Sequence, residues 1–272
     1  MGNDYTKQRF GETVKSDYAL RQASHGNVLL SSAVQEFLAH SFESKQLGYP
    51  ASLDLPVGGR HTEHMTVAFL DLTDFTGRTF WDDQDDVVDL AHAVLSGFIE
   101  VVDSHGGHPL GLRGDGLFAG FGGDAGFASM MALAACALAL DAVQTEVNPW
   151  LESRGLERIQ ARAGLDAGPI TFIRTGNDTH SEINPLGFAA NFAAKCEKTA
   201  DSWEIVVGEG LIATLPVQDD FTHHPQSPKS YQRHGERKDY KFYDFAWRRT
   251  RRNSIGVVEA LNGAPTSSIT SR

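Results

Sequence analysis

Two aspartates stand where acidic side chains are expensive. Asp71 ends the apolar run Thr66-Val-Ala-Phe-Leu-Asp71, and the polar turn Leu-Thr-Asp-Phe-Thr76 follows it. Asp115 lies between two glycines in Gly111-Leu-Arg-Gly-Asp115-Gly-Leu-Phe-Ala-Gly-Phe121. A carboxylate at a strand end is costly to bury unpaired, and a cation commonly offsets that cost. One such Asp often does no more than close a turn. Two of them, each on a short apolar segment, favour a metal pair. Hard oxygen ligands that leave room for phosphates suit Mg²⁺ or Mn²⁺. Two such ions can activate an attacking hydroxyl and stabilise the leaving oxygens of phosphoryl transfer. The turn 73–76 leads toward helix-forming sequence, whose amides and dipole suit a triphosphate.

The elements around these residues read as an α+β chain. Residues 67–72 are a short apolar run bounded by turn residues, a buried strand. Val87, Leu90, Ala91, Val94, Leu95, Phe98 and Val101 recur at helical spacing over 85–105, and His105-Gly-Gly107 stops that helix. Residues 109–113 and 117–121 form a hairpin that turns at Gly114-Asp115-Gly116. An alanine-rich helix covers 125–147 and ends at Asn148-Pro149. A second hairpin is expected from 159–165 and 170–174, turning across Asp166-Ala-Gly-Pro169. A helix over 187–200, a strand at 204–207, a short helix at 208–215 and a last strand at 240–246 follow. The pattern predicts a mixed sheet with helices on one face. Three parts are expected: an N-terminal helical and connector region (1–60, with a helix at 31–41), a catalytic domain (61–247), and a basic, disordered tail (248–272).

Composition narrows the function classes. The chain has 272 residues, 41% apolar and 22% charged, enough to bury a large core without disulfides. A formal charge of −11 argues against a nucleic-acid binder but not against a nucleotide substrate. Cys136 and Cys196 have no metal-type spacing and read as buried free thiols. The longest apolar stretch, 127–143, is interrupted by Ser129 and Asp141, so a buried helix is expected rather than a membrane span. With no secretory pattern at the N-terminus, the expectation is cytoplasmic. Trp81, Phe98, Phe127 and Trp150 read as core, and His61, His64, His223 and His224 as surface histidines without zinc spacing. The run Arg248-Arg-Thr-Arg-Arg252 reads as solvated.

Four segments in order carry a resemblance. These are Phe69-Leu-Asp71-Leu-Thr-Asp-Phe-Thr76, His105-Gly-Gly-His-Pro-Leu-Gly-Leu-Arg-Gly-Asp115-Gly, Arg162-Ala-Gly-Leu-Asp-Ala-Gly168-Pro and Gly187-Phe-Ala-Ala-Asn191-Phe-Ala-Ala-Lys195. Together they resemble the class III nucleotidyl cyclase catalytic domain over about residues 64–246. That resemblance implies a ferredoxin-like, palm-type mixed sheet, a homodimer with shared active sites, and two divalent cations, Mn²⁺ or Mg²⁺. The implied reaction converts a nucleoside triphosphate to its 3′,5′-cyclic monophosphate and pyrophosphate. By position, Asp71, Asp115 and the Leu72 carbonyl become metal ligands, and the Phe75 and Thr76 amides hold phosphates. Asn191 would orient the ribose from the partner subunit. Lys195 stands where the family usually has an arginine meeting the transition-state charge, which keeps the charge but loses the fork. Lys238 or Lys241 reads as a solvated basic loop more readily than as a phosphate contact.

The base-reading positions depart from the family. Where purine cyclases of this class carry a lysine or glutamate, this chain has Gly111. Two residues on, Arg113 replaces an aliphatic residue, and the two-residue strand period puts it on the same side as Gly111 and Asp115. The second base-reading position is Asn184, which can donate and accept. The sequence is similar in this respect to the pyrimidine cyclases of bacterial Pycsar anti-phage systems. That likeness implies UTP or CTP as substrate, with UTP favoured, and a cyclic nucleotide sensed by a separate effector. An adenylate cyclase with an atypical pocket and a weakly active nucleotide-binding regulatory dimer stay open as alternatives. A palm-type polymerase or dinucleotide cyclase shares the metal logic, but the chain has no Gly-Gly-Asp/Glu-Glu-Phe signature.

Overall fold

The computed structural model describes residues 5–24, 46–177 and 179–251. The helix expected at 31–41 and the tail beyond 251 lie outside them. Helix α1 (Lys7–Ser24) comes first, then strand β1 (Arg60–Thr73), helix α2 (Phe75–Trp81) and helix α3 (Gln84–Ser104). The hairpin β2 (His108–Arg113) and β3 (Gly116–Phe121) leads to α4 (Ala125–Ala142) and α5 (Asn148–Ser153). After them come β4 (Gln160–Gly176), β5 (Ser181–Leu186), α6 (Phe188–Thr199), β6 (Ile205–Gly208) and α7 (Glu209–Ile212). The last strands are β7 (Phe221–His223), β8 (Lys229–Arg233), β9 (Glu236–Tyr240) and β10 (Phe242–Phe245).

The main sheet runs β2-β3-β1-β4-β6-β10-β7, with β5 on the far end of β4 and β8-β9 as a separate pair. All neighbours are antiparallel except β4 and β6. Strand alternation sorts the side chains. Ala68, Leu70, Leu72, Ala161, Ala163 and Leu165 join the core under α1, α3 and α4. Met65, Val67, Ile170 and Phe172 pack with Ala189, Ala190 and Ala193 of α6 on the other face. The sheet is therefore covered on both faces, where helices on one face were expected. Asp71 and Arg162 fall on the α6 side.

The second expected hairpin does not form. Residues 160–176 are one strand, because β1 runs beside them for fourteen residues, from Arg60↔Ile173 to Thr73↔Gln160. The supposed turn, Asp166 to Pro169, lies between the stretch of β4 that pairs β6 (163–165) and the stretch that pairs β5 (171–176). A proline there costs no ladder bond on that side. Helix α4 likewise does not stop at Pro149. A π turn over Val143–Val147 widens the helix before the proline, which relieves its clash with the preceding turn, and α5 continues from Asn148. Asn148 is buried and brackets Ile159, accepting from its N–H and donating to its carbonyl, each at 2.9 Å.

Helix α1 is part of the core, with Phe10 and Val14 fully buried and Tyr18 nearly so. Its partner is α3, where Glu100 accepts from Tyr5, Arg9 and Thr13. Within α4, Ala132, Ala135, Cys136, Ala139 and Leu140 are fully buried. The stretch Ala125–Ser153 is long and apolar enough to cross a membrane, but 67% of its apolar window lies inside the protein. Cys136 and Cys196 are free and buried, as expected. Phe98 is core, but Trp81 is 82% and Phe127 58% exposed. Trp81 ends the short helix α2, and Phe127 sits in the first turn of α4, where no described element covers it. The basic run is not free. Arg249 pairs with Asp220 and Arg251 with Asp141, which anchors residues 248–251.

Asp166 is completely buried on the α6 side of β4. It accepts from the Ala167 and Leu211 amides and from the Tyr240 hydroxyl. Burial outweighs these donors and pushes its carboxyl up to about 7. The native state thus keeps a proton that the unfolded chain loses near pH 4, so stability should fall as pH rises from about 4 to 7. Asp166→Asn should flatten that part of the profile, read as denaturation midpoints across pH 4–8. Phe10→Ala should cost about 3–5 kcal/mol in the same assay, because it opens a cavity between α1 and α3.

Candidate active site

The β1–β3 ladder ends at Asp71↔Gly116, and the β2–β3 turn holds Asp115 one residue before that glycine. The two aspartates, far apart in sequence, are thereby neighbours. A Cβ on Gly116 would lie 2.8 Å from Asp71 Oδ1, so only glycine lets that oxygen face the turn. Gly114, at φ +62°, supplies the left-handed turn residue before Asp115. Burial, and after it the Asp71 carboxylate, push the Asp115 carboxyl up. Two converging carboxylates, of which Asp115 is harder to ionise beside Asp71, form a donor set that a hard divalent cation fits. Leu72 follows beyond the last β3 pair, so its backbone has no strand neighbour on that side among the described residues. Phe75 is buried and opens α2, just after Asp74 in the left-handed conformation (φ 57°). Thr76 takes the next position in that helix. A cavity of about 490 Å³ adjoins this turn and is lined by Arg78, Trp81 and Arg158. It includes neither aspartate.

Two residues given no role from the sequence stand beside Asp71: Arg162, which appeared only within a motif, and Glu197, which lies just past one. Arg162 is its register partner on β4 and donates from Nη2 to Asp71 Oδ2 at 3.1 Å. The same nitrogen lies 2.5 Å from Glu197 Oε1 on α6. Burial and the Asp71 charge push Glu197 up to about 7, while Arg162 pulls the other way. A charged residue inside the otherwise apolar alternation of 159–165 was the available signal.

The base-reading candidates also meet. Gly111 and Arg113 line a cavity of about 290 Å³ with Arg174, Ser181, Glu182 and Ile183. Arg113 Nη1 lies 3.7 Å from where a Gly111 Cβ would stand, so the guanidinium occupies the space above the glycine. Asn184 follows Ile183 on β5, one residue past the cavity's lining. Asn191 and Lys195 do not join the aspartates. One turn apart on α6, both are exposed, and Lys195 lines a separate cavity of about 140 Å³ with Gln226, Lys229 and Phe242. Lys238, on β9, and Lys241, between β9 and β10, are exposed.

His61 is half-buried and His64 and His223 are exposed, but His224 is buried, contrary to expectation. Its ring nitrogen and carboxylate oxygens of Glu204 and Asp244 lie within 4.8 Å of one another. His224 Nδ1 accepts the Gln226 N–H, so in the neutral ring Nε2 carries the hydrogen and points a donor, not a lone pair, at Asp244. That tautomer fits a histidine–carboxylate contact better than a metal site.

Comparison with known proteins bears on the fold. No protein-family model matches the chain. A cytidylate cyclase of Staphylococcus aureus is 25% identical over 165 residues, which cover 58% of this chain and 39% of that protein. The chain therefore spans about two-fifths of that relative's length. The guanylyl cyclase Cya2 superposes with a TM-score of 0.58 at 20% identity, covering 70% of this chain and 94% of that one. The adenylyl cyclase CyaB from P. aeruginosa gives 0.58 at 19%, covering 68% and 95%. The described chain thus shares the fold of class III nucleotidyl cyclase domains.

Proposed function

We propose that this chain is a metal-dependent pyrimidine nucleotidyl cyclase that converts CTP or UTP to the 3′,5′-cyclic monophosphate and pyrophosphate. The observation that carries the reading is the convergence of Asp71 and Asp115 at the turn of a hairpin whose first strand has Gly111, covered by Arg113, at the purine-reading position. Mn²⁺ or Mg²⁺ ions held by Asp71, Asp115 and the Leu72 carbonyl would lower the pKa of the ribose 3′-hydroxyl and anchor the triphosphate. The amides of Phe75 and Thr76 receive the phosphates, and Arg113 and Asn184 read the base edge. Asn191 orients the ribose and Lys195 meets the charge that develops on the α-phosphate.

The exposure of Asn191 and Lys195, away from the aspartates of their own chain, supports a homodimer in which they serve the partner's site. The name of the S. aureus relative moves the preference from UTP toward CTP. The two bases differ by one exocyclic group, a carbonyl against an amine, which one polar partner can discriminate. A pyrimidine product further suggests a cytoplasmic second messenger read by a separate effector in anti-phage defence.

Purified protein with Mn²⁺ and each of the four triphosphates should form cyclic CMP or cyclic UMP as the main product, read by mass spectrometry with pyrophosphate release. Dominant cyclic AMP would overturn the pyrimidine reading. Asp71→Ala or Asp115→Ala should reduce product to background. Mixing Asp71→Ala with Asn191→Ala subunits should restore part of the activity, since half of the dimers in an equal mixture pair the two variants and each of those regains one intact site. No rescue in a mixture shown to exchange subunits would sink the shared site.

A further inference from the structure

The chain carries a formal charge of −11, yet one projecting element is basic. Strands β8 and β9 form a two-stranded ribbon apart from the main sheet, turning at His234 (φ 51°) and Gly235 (φ 81°). Every residue of the two strands is exposed except Tyr240. We propose that this ribbon docks on the α2–α3 corner of a second copy of the chain, where Phe80 and Trp81 stand exposed beside a run of aspartates. The inference rests on the reading of α6 as serving the partner's site, and it adds a contact outside that site.

Register and the two-residue strand period sort the ribbon's side chains into two faces. On one face Arg237 is served from within, donating from Nε to Asp239 at 3.1 Å and from Nη2 to Ser230 at 2.8 Å. Lys229, Tyr231, Arg233 and Lys238 share the other face, where Glu236 is the only acid. The three cations of that face have no ion-pair partner among the described residues. A two-stranded ribbon alone in water is marginal. This one meets the body of the protein chiefly through Tyr240, against Phe188 and Phe192 at 4.7 and 4.5 Å, and through Tyr231, against Phe188 at 5.8 Å. Phe188 and the nearby Leu186 remain exposed. The cationic face therefore continues as an apolar strip onto the first turn of α6, the helix that presents Asn191 and Lys195.

The α2–α3 corner complements this surface in charge and in shape of residue. Phe80 and Trp81 pack edge to face at 4.8 Å and are 75% and 82% exposed. Asp82, Asp83, Asp85 and Asp86 follow directly. Arg78 pairs with Asp82 at 3.3 Å, and the other three have no ion pair among the described residues. Cations of the ribbon can meet these carboxylates and lie over the two rings. The reach also fits. Helix α2 opens at the turn that follows Asp71 and ends at Trp81, about 10 Å away for seven residues. The ribbon extends about 14 Å from Tyr240 to Glu236. Leaving α6 beside Phe188, it is long enough to run along the partner's α2 to the acidic end while Asn191 and Lys195 face the partner's Asp71. In a two-fold dimer the contact forms twice.

The test is a charge swap, read as the dimer dissociation constant of full-length protein by sedimentation velocity, with melting temperature in parallel. The ribbon variant is Arg233→Glu with Lys238→Glu, and the corner variant is Gln84→Lys with Asp85→Lys. Each alone sets like charges together at both contacts, so self-association should weaken about tenfold or more at low salt, and less at high salt. In a dimer of one variant with the other, both contacts join opposite charges. An equal mixture should therefore dimerise as tightly as wild type. Folded variants that each dimerise like wild type, or a mixture that regains nothing, would overturn the proposal. Should the ribbon variant not fold, Phe80→Ser with Trp81→Ser decides it, because exposed rings add little to the stability of a monomer. Weakened self-association supports the contact, and unchanged self-association refutes it. A ribbon variant that dimerises normally but loses binding to single-stranded RNA assigns the ribbon to nucleic acid and also refutes it. Wild-type protein that sediments as a monomer defeats the shared-site reading and the inference together. A dimer whose Asp71→Ala and Asn191→Ala subunits complement, but whose affinity the charge variants spare, defeats the inference alone.

Discussion

The fourteen-residue antiparallel pairing of β1 with β4 is the constraint on which the site depends. It sets Asp71 opposite Arg162 and places both on the face that α6 covers. A slip of one residue would turn Asp71 into the apolar core under α1, α3 and α4, where no cation waits. The cost of burying a lone carboxylate therefore works with the hydrophobic pattern to hold the register. The shorter β1–β3 ladder then brings the Asp115 turn alongside.

Around that ladder the molecule divides its work by face. One side is a dry core of alanine, leucine, valine and phenylalanine from three helices and the inner strand positions. The other carries the polar groups: Asp71, Arg162 and Asp166 on the strands, and Glu197 from α6. Small residues make this possible. Gly116 and Gly164 let a carboxylate and a helix backbone approach where any side chain would collide. Tyr240 and backbone amides satisfy Asp166, and Arg162 serves both Asp71 and Glu197, so the buried acids of this face are partnered from within.

The sequence reading held where local signals and periodicity agreed. The first hairpin, helices α3 and α6, and the buried thiols stood where expected, and the order of motifs matched the fold. It failed where distant contacts override local preference. Asp166-Ala-Gly-Pro169 has turn composition, yet β1 beside it keeps the chain extended. Pro149 should end a helix, yet a π turn accommodates it. Helix α1 shows only a thin stripe, Phe10, Val14 and Tyr18, and it is stabilised by packing on α3 rather than by its own pattern. Trp81 and Phe127 look like core by residue type, but type does not say whether another element covers them.

For the candidate site, the sequence alone showed its parts: two carboxylates at strand ends, a glycine four residues before the second, and an arginine two residues after that glycine. Residue type and the two-residue strand period are local properties, so they were legible without a fold. Only the tertiary structure decided which groups meet. It paired Arg162 and Glu197 with Asp71, laid Arg113 over Gly111, buried His224 against Asp244, and kept Asn191 and Lys195 apart from the aspartates of their own chain. Those relations follow from register and packing between segments up to 126 residues apart, from Asp71 to Glu197. No local pattern encodes them, because the energy that fixes them exists only once the sheet and α6 have come together.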